Sequence, residues 1–200
     1  MKNGKKITLL AVFSAVIAVI SFLPIRTLGL EITLSMVPVA VGAICFGPAA
    51  GAILGGVFGL VSFLQCVFGW SSFGAALLAI DPLYTFLVCV PTRILAGWLT
   101  GLIFKLFNRS KKGWVRETGF PVASFAAALL NTVLFMSTLV LCFYNTDFIQ
   151  GFVTQLGALN PFLFVVLFVG INGVVELIAG FILAAPASRA VTTALKKWIK

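Results

Sequence analysis

A chain of 200 residues that is 61% hydrophobic and only 10% charged does not make a water-soluble domain, whose surface would need many more charges. The net charge of +9 is not spread evenly: twelve of the fourteen Lys and Arg residues fall in three clusters, Lys2/Lys5/Lys6, Lys105 to Arg116, and Arg189 to Lys200. That distribution argues against a nucleic-acid-binding face. It argues for loops that stay cytoplasmic beside membrane spans, with anionic headgroups as an added contact.

The expected architecture is an all-α integral membrane protein, one membrane domain over residues 1–200 with six transmembrane helices and both termini cytoplasmic. The first helix covers about 6–23. Its apolar run from Ile7 to Leu23 is long for a signal-peptide core, and no small-residue cleavage site precedes Pro24, so it reads as a retained helix. A short outer loop with Arg26 and Glu31 follows. Phe46-Gly47-Pro48 then divides a long apolar block into helices at about 34–46 and 49–68. The first is short for a span and carries Pro38, which predicts a tilted or partly broken helix. The second repeats Gly51, Gly55 and Gly59 every four residues, a face that lets helix backbones approach closely. A loop at about 69–82 holds Trp70, Ser71, Ser72 and Asp81. A helix at about 83–107 returns to the basic cluster, a fifth runs over about 120–144, and a polar outer loop separates it from a sixth at about 161–186. With six spans all three basic clusters fall on the cytoplasmic side.

Little in the chain points to catalysis, and the expectation is that it is not an enzyme. It has no histidine, no GxxxxGK[ST] phosphate loop and no HExxH, and its four cysteines sit singly in apolar runs as small buried hydrophobes. No cofactor or metal is expected. The aromatic residues read mostly as lipid-facing and core bulk, with Trp70 and Tyr84 either anchoring the membrane interface or lining a site.

The polar residues inside apolar spans are few. Arg93, Asn131, Asn172 and Glu176 lie about 10 to 15 residues from the outer ends of their helices, which at 1.5 Å per residue puts them in one layer about 15–22 Å deep. Such residues face the bundle interior and pair with each other or with a ligand. One reading is an Arg93–Glu176 ion pair with Asn131 and Asn172 bonded between helices. The other makes the layer the floor of an outward-opening pocket, roofed by the loops carrying Trp70 and Asn145, with Arg93 facing an acidic ligand. Both can hold together.

Motif order and spacing along nearly the whole chain resemble the substrate-binding S component of an energy-coupling factor (ECF) vitamin transporter. The resemblance rests on Ala11-Val-Phe-Ser-Ala15, Glu31-Ile-Thr-Leu, Pro38-Val-Ala-Val-Gly-Ala-Ile-Cys-Phe-Gly-Pro-Ala-Ala-Gly-Ala, and Gly55-Gly-Val-Phe-Gly-Leu-Val-Ser-Phe. It continues through Pro91-Thr-Arg93-Ile-Leu-Ala-Gly, Asn131-Thr-Val and Ile171-Asn172-Gly-Val-Val-Glu176. It implies a vitamin-binding subunit of an ABC-type importer that docks onto a shared transmembrane coupling subunit driven by two cytoplasmic ATPases. Ala11 and Ala15 match the family's docking positions; read without the resemblance, that AxxxA is an ordinary helix-packing face. The run GLEITLSMVPVAVGA is most similar to pantothenate-type members of the riboflavin, folate and pantothenate branch. Arg93 with Asn131 and Asn172 suits a small amide-bearing carboxylate better than uncharged riboflavin or two-carboxylate folate. The substrate-binding set is then Arg93, Asn131, Asn172, Glu176, Trp70 and Tyr84. Alternatives are an S component for riboflavin or another vitamin, and a solitary carrier coupled to an ion gradient through Glu176.

Overall fold

The computed structural model describes residues 3–22, 25–27, 30–32 and 34–199. Apart from two three-residue strands, its regular structure is helical. Helix α1 spans Asn3–Ser21, and strands β1 (Ile25–Thr27) and β2 (Leu30–Ile32) pair antiparallel with Arg26 opposite Glu31. Then come α2 (Met36–Phe46), α3 (Pro48–Val67), α4 (Ser72–Ile80), α5 (Pro82–Asn108) and α6 (Gly113–Phe143). Helix α7 (Asp147–Gln155) precedes α8 (Pro161–Ala179), which a π-turn at Gly180–Ala184 joins to α9 (Ala185–Ile199). Among the described residues five helical stretches are long and apolar enough to cross a membrane: Gly4–Ser21, Pro48–Val67, Pro82–Asn108, Gly113–Phe143 and Gly173–Leu195. Met36–Phe46 and Pro161–Gly170 are shorter apolar helices.

The glycine stripe of α3 is a packing seam, as its spacing predicts. A Cβ on Gly51 would fall on the carbonyl oxygen of Gly97, and one on Gly55 would fall on that of Arg93. One on Gly59 would lie 2.8 Å from Cys89 O and from Val90 Cα. Without side chains on this stripe, α3 and α5 approach backbone to backbone, and α5 becomes the most deeply covered of the long helices, half of it buried. Around this pair the core residues Ile17, Val39, Leu54, Phe58, Ala96, Ala127 and Ala184 tie α1, α2, α6 and the π-turn together.

Several boundaries differ from the sequence expectation, each for a local reason. The stretches at about 69–82 and 145–160 are not loops throughout but carry α4 and α7. Their polar residues are helix caps: Ser71 Oγ accepts from Gly74 N (3.3 Å), Thr146 Oγ1 from Ile149 N (3.4 Å), and Asn160 Oδ1 from Leu163 N (2.7 Å). Asp81 caps α5 in the same way, accepting from Leu83 N at 2.8 Å and Tyr84 N at 3.0 Å, ahead of Pro82 in the first turn. Pro38 does not break α2, because it stands in the first turn where no intrahelical donor is missed. Helix α6 starts at Gly113 rather than about 120 and runs on through Pro121. The last helix does not stop at Pro186; it continues into α9, whose Arg189 pairs with Glu117 at 3.0 Å.

Part of the aromatic bulk at the end of the bundle opposite the Lys105–Arg116 cluster packs inside, while Phe68, Trp70 and Phe162 stay exposed. Phe73 of α4 meets Phe148 and Phe152 of α7 and Phe168 of α8 at centroid separations of 5.6, 6.0 and 5.6 Å, and Phe164 stacks on Phe168 at 5.0 Å. With Phe143, Leu139 and Met136 of α6 they form a second core that seats α4 and α7 across the ends of the long helices.

Candidate functional site

Arg93 sits in the fourth turn of α5, two residues after Pro91, and is buried with 8% of its surface exposed. Its Nη1 donates to Cys89 O (2.9 Å) and Val88 O (3.3 Å), so part of the charge is satisfied by its own helix. Thr92 Oγ1 also donates to Val88 O at 2.6 Å, and these bonds fix the last turn before the guanidinium. The guanidinium carbon lies 4.7 Å from the ring centre of Phe58 on α3 and 5.2 Å from that of Phe135 on α6. Two aromatic faces thus hold a planar cation in a dry place, a favourable cation–π arrangement once water is excluded. Among the described residues no carboxylate lies within ion-pair distance of Arg93.

Three buried side-chain atoms among the described residues have no hydrogen-bond partner: Arg93 Nε, Asn131 Oδ1 and Ser124 Oγ. Buried polar atoms are ordinarily paired, since leaving one bare costs about 1–3 kcal/mol. Asn131 is one helical turn from Phe135, which places its free oxygen on the side of α6 that meets Arg93. Ser124 is two turns further along the same side. The α8 backbone reaches this level as well: a Cβ on Gly173 would lie 3.9 Å from Thr132 Cγ2. Just before it, Gly170 takes φ 36° and ψ −127° inside α8, a conformation that L side chains rarely adopt, and the helix kinks there.

The remaining predicted positions fall in different places. Asn172 follows the Gly170 kink and Glu176 lies one turn later, but their side chains, and with them the proposed Arg93–Glu176 ion pair, lie outside the described residues. Trp70 meets Phe22 edge-on (5.2 Å) and Phe68 at a tilt (5.1 Å) and is half exposed. Tyr84 meets Phe143 edge-on at 6.1 Å and is also half exposed. The rings against Arg93 are Phe58 and Phe135, which the sequence reading did not single out. Ala11 and Ala15 are exposed on α1, whose apolar window is only 11% buried, while Ile17 two residues on is fully covered.

A helical bundle of membrane-spanning length, closed at one end by aromatic packing and holding a buried cation with unsatisfied neighbours, has the build of a membrane protein that binds a polar solute between its helices. Residues 5–188 match the family model for the ECF transporter, substrate-specific component, and the chain belongs to that family. It is therefore an integral membrane protein and a transporter's substrate-binding component rather than an enzyme. Relatives with established names include the pantothenate transporter PanT of Leuconostoc mesenteroides, 31% identical over 161 residues, covering 78% of this chain and 73% of the relative. The pantothenic acid transporter PanT of Lactococcus lactis subsp. cremoris is 30% identical over 162 residues, covering 73% of this chain and 79% of that protein.

Proposed function

We propose that this chain is the pantothenate-binding S component of an ECF importer, a single membrane domain that crosses the bilayer six times with both termini in the cytoplasm. Six spans would bring all three clusters of Lys and Arg to one side, which supports the orientation, and α2, at 11 residues, is the short sixth span. In this orientation α4 and α7 form the outward roof and the Arg93 layer lies beneath it. The ligand's carboxylate binds the free edge of the Arg93 guanidinium, held flat between Phe58 and Phe135. Its amide N–H donates to Asn131 Oδ1, with Asn172 as the second amide partner and Glu176 orienting the Arg93 guanidinium. Trp70 and Tyr84 stand at the rim. Loaded subunit then docks through Ala11 and Ala15 onto the transmembrane coupling subunit, where two cytoplasmic ATPases supply the energy.

The observation that carries this reading is the coincidence of two unsatisfied buried atoms, Arg93 Nε and Asn131 Oδ1, on facing helices. A cationic donor beside an amide acceptor matches an amide-bearing carboxylate group for group. Calorimetric titration of the detergent-solubilised subunit with pantothenate, riboflavin and folate tests it. Binding of pantothenate alone is the expected result; riboflavin binding would keep the family and discard the Arg93 site.

A further inference from the structure

Ser124 behaves unlike the other buried helical hydroxyls of this protein. Thr85, Thr92 and Thr100 donate to the carbonyls of Asp81, Val88 and Ala96, Ser21 donates to Ile17 O, and Ser188 to Ala185 O. A hydroxyl inside a helix satisfies itself in this way by default. Ser124 is fully buried and makes no such bond. It lines a recess between α2, α6 and the π-turn, closed on one side by Leu34, Met36 and Val37 and on the other by small residues of α2, α6 and the π-turn. Five of its eight other walls are Ala or Gly, and the recess has room for a group of about water size. The π-turn narrows it to this: a Cβ on Gly180 would lie 3.2 Å from Ala128 Cβ. π-Turns are rare and tend to occur where a helix has been adjusted for function.

Ser124, Asn131 and Phe135 follow one side of α6 at intervals of seven and four residues, so the recess lies about 10 Å along the helix from Asn131, on the side away from Arg93. Resting on the pantothenate reading above, we infer that this recess fixes the ligand's direction and specificity by taking the hydroxyl of its hydroxymethyl end. Pantothenate carries a carboxylate at one terminus, an amide in the middle and a hydroxymethyl group on a branched apolar carbon at the other. Arg93, Asn131 and the Ser124 recess present a cation, an amide acceptor, and a hydroxyl among methyl groups in the same order. Ser124 Oγ, released from its helix, exchanges a hydrogen bond with the terminal hydroxyl. The water-sized recess admits the hydroxyl alone and leaves the branched carbon at its mouth.

The test compares pantothenate with an analogue in which a methyl group replaces the terminal hydroxymethyl, by calorimetry on the whole solubilised subunit. Ser124→Ala should weaken pantothenate about tenfold, the value of one buried hydrogen bond. It should leave affinity for the analogue unchanged, so that the variant no longer distinguishes the two. Its ligand-free melting temperature should hold or rise, because no intramolecular bond is lost; a merely structural hydroxyl would lower it. Ser124→Cys, equal in shape and a poor donor, should behave the same and serves if the alanine variant folds badly. Unchanged pantothenate affinity in both variants, or equal loss for both ligands, would overturn the recess assignment alone. A wild-type subunit that ignores pantothenate would remove the parent reading and this one with it.

Discussion

Gly51 of α3 and Gly97 of α5 face each other backbone to backbone, so that a Cβ built on either would fall on the other's carbonyl oxygen. The contact is mutual and has no flexible side chain that could yield. Gly51→Ala should therefore lower stability by about 1–3 kcal/mol through forced separation of the helices. Gly56, on the same helix but off the seam, is the control, since its Cβ would meet Ile94 Cγ1 at an ordinary 3.4 Å. Gly56→Ala should stay within about 0.5 kcal/mol of wild type. Thermal unfolding in detergent separates them, and equal melting temperatures would mean that α3 and α5 are not in this register.

The seam also explains why Arg93 can be tested without unfolding the protein. Its described hydrogen bonds go to its own helix, and its other described contacts are the faces of Phe58 and Phe135. Arg93→Met keeps an apolar stem between the rings and removes a cation whose burial is itself costly. Ligand-free stability should change by less than about 1 kcal/mol, while pantothenate affinity falls at least about a hundredfold, the scale of a buried charge pair. Arg93→Lys should fall between, because an ammonium lacks the planar fork. A variant that fails to fold would make Arg93 a structural residue and move the carboxylate site elsewhere.

Arg93 and Asn131 were legible in the sequence because a charge or an amide is conspicuous in an apolar span; Arg93 is buried, Asn131 half-buried, and each holds a buried atom without a partner. Phe58 and Phe135 were not, because nothing marks two phenylalanines among twenty. Ser124 was hidden for a subtler reason: a helical serine normally bonds its own backbone, and only coordinates reveal the one that does not. Helices α4 and α7 were legible in principle. Ser71 and Thr146 are good caps for them, and Asp81-Pro82 and Asn160-Pro161 mark where α5 and α8 begin, but short polar stretches between long spans look like loop. The glycine stripe needed only its period.

Docking on the coupling subunit predicts a separation of binding from transport. Ala11 and Ala15 are exposed, and α1 is the least covered of the long helices, so a bulky side chain there disturbs nothing within the subunit. Ala11→Trp and Ala15→Trp should abolish pantothenate uptake by the reconstituted transporter and leave Kd of the isolated subunit unchanged. Ile17→Trp, at a fully covered position, should instead impair folding. Parallel loss of uptake and binding at Ala11 and Ala15 would assign those alanines to packing within the subunit.

Orientation can be decided at Ser110, in the turn between α5 and α6, flanked by Arg109 and Lys111. The turn's basic residues predict a cytoplasmic location, and with it the outward placement of α4, α7 and the aromatic core beneath them. In a background with Cys45, Cys66, Cys89 and Cys142 replaced by alanine, Ser110→Cys should react with a membrane-impermeant maleimide in inside-out vesicles and stay unlabelled in intact cells. The exposed side chain of Leu159 sits in the turn before α8, at the other end of the bundle, and Leu159→Cys should show the opposite pattern. Labelling of Ser110→Cys from outside would invert the molecule. The Arg93 layer would then lie beneath a cytoplasmic roof, and a subunit that captures its vitamin from outside could not be built on it.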